Sequence, residues 1–129
     1  MIIGIGIDLI ETDRIAGILE RHRAAFSRRI LTVAELVLAE SWHHAATFYA
    51  GRWAAKESVS KVLGTGIGRK CRWRDIEILN DTVGKPFIVL TGAARETADA
   101  LAIDHMIVSI THEKSIAAAV VVGEGSSRS

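Results

Sequence analysis

The chain has 129 residues, a formal net charge of +1 and one cysteine. That is the length of one domain, able to bury roughly two-thirds of its unfolded surface without a disulfide. A lone Cys71 excludes a disulfide framework and a CxxC metal pattern, and the near-zero net charge excludes a strong overall field. There is no basic leader followed by an apolar run, and no stretch approaches the roughly 18–20 apolar residues that span a bilayer. The expectation is therefore a cytoplasmic protein with no membrane role. Hydrophobic residues make up 49% of the chain, with a mean hydropathy of +0.24. So large an apolar share on a small soluble domain points to a buried subunit interface.

In chain order, Ile2 to Ile10 reads as a strand. At period two, Ile3, Ile5, Ile7 and Leu9 share one face, while Gly4, Gly6 and Asp8 share the other. Glycines beside Asp8 are expected where a ligand or another backbone approaches closely, or at a bulge. Thr12 is placed to cap a helix with Ile15, Ile18 and Leu19 on its apolar stripe. Thr32 and Glu35 have capping-box spacing for a second helix through about Trp42. A long helix is expected from about His43 to Leu63, with Phe48, Ala55, Val59 and Val62 inward, ended by the Gly64–Gly68 cluster. Beyond it come a strand over 75–79, a turn over 80–86, a strand over 87–90 and a helix from Thr91 to about Ile103. Strands over 106–112 and 115–122 follow, joined by Glu113-Lys114. With no repeat and no linker, residues 1–122 read as a single α+β domain. It has a mainly antiparallel sheet packed on a long central helix, and residues 123–129 read as a disordered tail.

The chemistry concentrates in a few positions. Glu57 and Lys61 lie four apart on the long helix, with Ala50 and Ala54 preceding them and leaving room, and Asp8 comes from the strand. Two carboxylates and a lysine suit a hard cation and a phosphate, and Mg²⁺ is the metal such a set favours. Arg52 and Lys56, with the glycine loop after them, are expected to gather cations and free backbone N–H groups around an anionic ligand. The loop follows its helix, so it is not a P-loop, and the Gly4-x-Gly6 pair inside a strand is not a Rossmann fingerprint. The adjacent His43 and His44 point apart in a helix and read as solvated, and Cys71 reads as a packed or loop thiol. Ser109 and His112 fall on opposite strand faces, which disfavours a nucleophilic pair and leaves phosphate or nucleoside contacts. Arg14, Arg21, Arg23, Arg28 and Arg29 face one acid, Glu20, so the positive charge is local.

Three motifs together resemble the holo-acyl-carrier-protein synthase type of phosphopantetheinyl transferase. They are Gly4-Ile5-Gly6-Ile7-Asp8-Leu9 with Arg14, the helix Arg52-Trp53-Ala54-Ala55-Lys56-Glu57-Ser58-Val59-Ser60-Lys61, and the strand end Ser109 to His112. Gly84-Lys85-Pro86 and Leu63-Gly64-Thr65-Gly66 agree as well, while Ser58 and Val62 stand where that family usually has Ala. The resemblance implies the phosphopantetheinyl transferase fold and transfer of the phosphopantetheine arm of coenzyme A to a serine of an acyl carrier protein, in fatty acid biosynthesis. It implies Asp8 and Glu57 as Mg²⁺ ligands, with Asp8, Glu57 and Lys61 catalytic. For coenzyme A it implies Arg52, Lys56, Lys61, Gly64, Gly66, Gly84, Pro86, Ser109, Thr111 and His112. It further implies an acidic carrier on Arg14, Arg21 and Arg28, and a homotrimer with sites between subunits. The rival readings are another Mg²⁺-dependent phosphotransferase and a non-catalytic oligomeric module binding nucleotides or nucleic acid. Aromatic residues at 5% and the small net charge weigh against nucleic acid, which is not an expected partner.

Overall fold

The computed structural model describes residues 1–126. It runs β1 (Ile2–Glu11), α1 (Thr12–Ile30), α2 (Val33–Glu40), α3 (Ala45–Leu63), a 3-10 turn (Trp73–Asp75), β2 (Ile76–Asn80), β3 (Pro86–Leu90), α4 (Gly92–Ala100), β4 (His105–Glu113) and β5 (Ile116–Glu124). The sheet order is β1-β5-β4, antiparallel throughout, and β2 and β3 form a separate antiparallel hairpin. The long helix α3 packs across β1 and β5, so the expected α+β architecture holds. Among the described residues, no helix is long and apolar enough to cross a membrane.

The two faces of β1 are the key to the site. Its glycine face turns inward, and a Cβ added at Gly6 would overlap the Ser58 carbonyl oxygen of α3, while one at Gly4 would lie 3.0 Å from the Val62 carbonyl oxygen. Glycine is needed here because a helix backbone lies directly against the strand. A register irregularity is also present, between Ile2 and Gly4. The apolar face consequently points away from α3: Ile5 and Ile7 are each 66% exposed and Leu9 62%. Register places Val122 beside Ile5, Val120 beside Ile7, and Ile107 of β4 on the far side of Val122, across the same outer surface.

Local chemistry accounts for most boundaries. Thr32 and Glu35 form the expected capping box, the Glu35 N–H donating to Thr32 Oγ1 at 3.3 Å and the Thr32 N–H to Glu35 Oε1 at 2.9 Å. This helix stops at Glu40, where the Ser41 hydroxyl donates to Leu38 O at 2.7 Å. α3 begins at Ala45 rather than His43 and ends at Gly64, whose φ of 78° admits the left-handed turn that closes it. Thr12 does not cap α1: it is the first helical residue, and its hydroxyl donates to Lys114 O at 3.5 Å. The reason is tertiary, because the β4–β5 turn supplies the acceptor and Ser115 O takes the Thr12 N–H at 2.8 Å. Thr91 likewise turns its hydroxyl to Asp75 O, and Asp75 Oδ2 accepts from Ala94 N–H in the first turn of α4. That helix ends at Ala100, short of Ile103, with Ala102 at φ 60°.

The β4–β5 link is Lys114-Ser115, one residue later than expected, with Lys114 at φ 40°. The tail expectation is corrected over four residues. Gly123 and Glu124 complete β5, Gly125 exchanges backbone hydrogen bonds with Met1, and Ser126 donates to Asp104. Pairing with both chain ends of the sheet orders a segment that composition alone marks as polar. Residues 127–129 lie outside the described residues.

Candidate active site

Asp8 sits on the inward face of β1, following the two glycines that let α3 approach, and its side chain is 18% exposed. The Lys61 ammonium, half exposed, donates to Asp8 Oδ1 at 3.2 Å and to Ile7 O at 2.8 Å. The helix lysine therefore reaches across to the strand carboxylate, four residues beyond Glu57 on the same helix. A cleft of about 460 Å³ is lined by Asp8, Leu9, Ile10, Glu11, Arg14, Trp53 and Glu57. Burial pushes the Glu57 carboxyl up from its ordinary pKa, the Asp8 charge adds to that rise, and Lys61 opposes it. A half-buried carboxylate whose proton affinity is raised beside a second carboxylate is one a cation would relieve.

The donor chemistry fits a hard ion. Among the described residues, no group of three or more His, Cys, Asp or Glu side chains is placed to hold a metal. A zinc centre would need such a set. Magnesium takes few protein carboxylates and completes its octahedron with water and phosphate, so Asp8 and Glu57 are a pair that could hold it.

Two residues bordering this site were given no role from the sequence. Trp53 is one helical turn before Glu57 and forms an apolar wall of the cleft, tilted against Trp73 at 4.6 Å and stacked on Phe26 at 5.8 Å between ring centroids. The i,i+4 spacing of Trp53 and Glu57 was a readable signal. Nothing local in the sequence brings Trp73 from the 3-10 turn.

Several expected ligand residues serve the fold instead. Lys56 is fully buried, and its three N–H donors go to Ile30 O at 2.6 Å, Glu35 Oε1 at 2.6 Å and Trp73 O at 3.1 Å. No donor is left for a phosphate, and burial lowers the lysine pKa even beside Glu35. Arg52 is 3% exposed. Its Nη2 donates to Ile78 O and Asn80 Oδ1, its guanidinium lies 4.4 Å over the Phe48 ring, and Nε is buried without a partner. Burial pushes its pKa down to about 10, against the pull of Glu35. Arg52 and Lys56 thus share an inward helix face, because α3 is buried on most of its circumference. Ala50 and Ala54 are likewise fully buried in the core and leave no open space.

The glycine loop has no free N–H cradle either. Gly64 N–H goes to Lys61 O, Thr65 and Gly66 N–H to Ser60 O, and Gly68 N–H to Cys71 O. Gly84, at φ 84°, closes a turn in which Asp81 Oδ1 accepts from Val83 and Lys85 N–H, and Pro86 pairs with Asn80, the partner of Arg52. His112 meets Trp42 edge-on at 6.4 Å, Trp42 meets Phe48, and Phe48 carries Arg52, so Arg52 and His112 flank one aromatic pair. Ser109 and Thr111 occupy the outer sheet face, opposite in parity to His112 and in register with Val120 and Ala118.

Arg14 lines the cleft, and Arg21 and Arg28 are exposed farther along α1, before and beyond a kink at His22 (φ −141°, ψ 39°) that breaks their heptad alignment. His43 and His44 are exposed, as expected. They precede the helix, so their rings meet at 4.9 Å rather than pointing apart. Cys71 is buried, with its thiol pushed up to about 12 by burial and the nearby Asp75 and Glu57 charges.

Comparison with known proteins agrees with this geometry. Residues 4–121 match the family described as the 4′-phosphopantetheinyl transferase superfamily. A holo-[acyl-carrier-protein] synthase of Alkaliphilus oremlandii is 44% identical over 122 residues, spanning 95% of this chain and 98% of its own. The crystal structure of the Neisseria meningitidis holo-[acyl-carrier-protein] synthase superposes with a TM-score of 0.89 at 34% identity, covering 96% of this chain and 99% of that one. The Bacillus anthracis synthase, solved in complex with CoA (3′,5′-ADP), superposes with a TM-score of 0.82 at 41% identity, covering 98% and 99%. The strand aspartate, the helix glutamate and the fold that brings them to one cleft therefore stand in a chain that belongs to the 4′-phosphopantetheinyl transferase superfamily.

Proposed function

We propose that the chain transfers the 4′-phosphopantetheine group of coenzyme A to a serine hydroxyl of an apo acyl carrier protein. The observation that carries this reading is the convergence of Asp8, Glu57 and Lys61 on one cleft, in a chain whose relatives are named holo-[acyl-carrier-protein] synthases. In the reaction the serine Oγ attacks the phosphorus that bears the pantetheine arm. A new P–O bond forms, the pyrophosphate P–O bond breaks, and adenosine 3′,5′-bisphosphate leaves.

Each residue then has a role. Glu57, whose carboxyl already holds its proton more tightly than an ordinary glutamate, accepts the serine proton. Asp8 and Glu57 are the residues that would hold Mg²⁺, which when bound supplies charge neutralisation at the pyrophosphate. Lys61 orients Asp8 and stands exposed on the side from which a phosphate would arrive. Trp53 walls the cleft and limits water around Glu57.

The coenzyme's adenine and 3′-phosphate are read onto the Asn80–Pro86 hairpin, His112 and the Ser109–Thr111 face. These positions are spread over the surface of one copy. The outer face that carries Ser109 and Thr111 is continuous with exposed Ile5, Ile7 and Leu9. A second copy covering that face would complete a site between subunits, and a homotrimer follows from the family resemblance. A cytoplasmic setting fits the single, buried thiol, and the acyl-carrier specificity of the relatives fits fatty acid synthesis. The rival non-catalytic nucleotide or nucleic-acid module loses one of its two supports, because the N–H groups of the glycine loop are engaged internally.

Incubation with coenzyme A, Mg²⁺ and an apo carrier protein is expected to add the mass of the arm to the carrier, read by intact-protein mass spectrometry. No gain with a carrier that another synthase modifies would reject the enzyme reading.

A further inference from the structure

Trp73 is a large aromatic side chain with no part in the roles above, and the 3-10 turn that carries it does not depend on its indole. Backbone groups hold that turn. The Lys56 ammonium donates to Trp73 O at 3.1 Å, the Ile76 N–H donates to the same oxygen, and Asp75 Oδ2 accepts from the Arg72 N–H at 3.1 Å. What this fixed backbone delivers is the ring. It is half-buried, and among the described residues its one aromatic neighbour is Trp53, tilted against it with the centroids 4.6 Å apart.

Trp53 lines the cleft one helical turn before Glu57 and is itself only half-buried. Rotation about its side-chain torsions would carry the indole off the cleft and open the ground beside Glu57 to solvent. Two rings oppose that rotation, Phe26 at 5.8 Å and Trp73 at 4.6 Å. Phe26 also packs on Tyr49 and belongs to the buried core, whereas the Trp73 ring has no such second aromatic partner. Lys56, which fixes the turn, is the residue immediately before Glu57. The brace, the wall and the proton acceptor are thus tied to the same stretch of α3.

Water is the competing nucleophile in the proposed reaction. Its oxygen can attack the phosphorus that serine Oγ would attack, forming a P–O bond as the pyrophosphate P–O bond breaks. Adenosine 3′,5′-bisphosphate leaves, the water proton passes to the acceptor that would have taken the serine proton, and the arm is released as free 4′-phosphopantetheine. We infer that Trp73 is a positioning residue, its indole bracing Trp53 against the cleft so that the carrier serine rather than water reaches the phosphorus of the coenzyme. The inference rests on the transfer reading above and adds to it a residue that acts through Trp53.

Trp73→Ala removes the brace and leaves the backbone bonds of the turn in place. With coenzyme A, Mg²⁺ and saturating apo carrier, the ratio of free 4′-phosphopantetheine to holo carrier, both read by mass spectrometry, is expected to rise about tenfold while kcat for transfer falls about fivefold. The KM for coenzyme A is expected to stay within about twofold of the parent. Trp73→Phe keeps a ring at the position and is expected to hold the ratio within about twofold of the parent. Because Trp73 acts through Trp53, adding Trp73→Ala to Trp53→Ala is expected to raise the ratio no further. A merely structural role would slow transfer and hydrolysis alike, so an unchanged ratio in Trp73→Ala overturns the inference, whatever the rate. So does a further rise in the double variant over Trp53→Ala alone. If Trp73→Ala does not fold, Trp73→Leu replaces it, and a ratio equal to that of the parent in the leucine variant is equally fatal. Failure of the parent protein to modify any carrier would instead reject the transfer reading, and that is seen before any variant is made.

Discussion

Glu57→Ala is expected to lower the rate of arm transfer roughly a thousandfold, about 4 kcal/mol of lost transition-state stabilisation, with the fold intact by circular dichroism. Asp8→Ala should have a similar effect through a different route. Removing Glu57 takes away the proton acceptor and one ion ligand together. Removing Asp8 takes away the other ligand and leaves Lys61 bonded only to Ile7 O. Glu57→Gln separates the parts of this argument, because the amide keeps a ligand oxygen but cannot accept the serine proton. Its rate should fall nearly as far as that of Glu57→Ala, while Mn²⁺ binding measured by electron paramagnetic resonance survives better than in Asp8→Ala. Near-parental transfer by either alanine variant in a single-turnover assay would mean that the reacting phosphate lies elsewhere.

The largest effect on stability should come from Glu35 and Lys56. The pair is wholly buried with an N–O distance of 2.6 Å, and it ties five pieces of chain together: the end of α1 through Ile30, α2, α3, the Trp73 turn and β2, where the Ile78 N–H donates to Glu35 Oε2. Removing one partner leaves the other charge uncompensated in the interior. Glu35→Ala or Lys56→Ala should therefore cost about 3–5 kcal/mol in urea unfolding. The double variant Glu35→Leu/Lys56→Met removes both charges at similar volume and should recover much of that loss. Equal destabilisation by the double and the single variants would mean that the backbone hydrogen bonds, rather than the charge pairing, hold the node.

This node also shows where sequence reasoning stops. The Thr32–Glu35 capping box is a local pattern and was legible, as were α3 and its Gly64 stop, because caps and left-handed turns involve residues within a few positions of one another. Lys56 is 21 residues from Glu35, and the identity of its partner depends on how α2 and α3 pack. Its spacing from Arg52 read as a cationic face toward a ligand. The helix is rich in Ala and is buried almost all round, so it has no polar stripe to show which side meets solvent. Asp8 and Glu57 were legible as a pair because strand parity and the flanking glycines both pointed to a close approach. Trp73 meets the cleft wall at Trp53 only through the tertiary path of the 3-10 turn. Thr12 illustrates the same limit on a small scale, since a capping residue was diverted by an acceptor about a hundred positions away.

A strand that gives its glycines to a helix must turn its isoleucines the other way, and β1 does so along Ile5, Ile7 and Leu9. Such an oily outer wall couples folding to self-association by mass action. The thermal midpoint should climb as the solution is made more concentrated and fall on dilution, and Ile7→Asp should abolish that dependence while leaving the buried side of the sheet untouched.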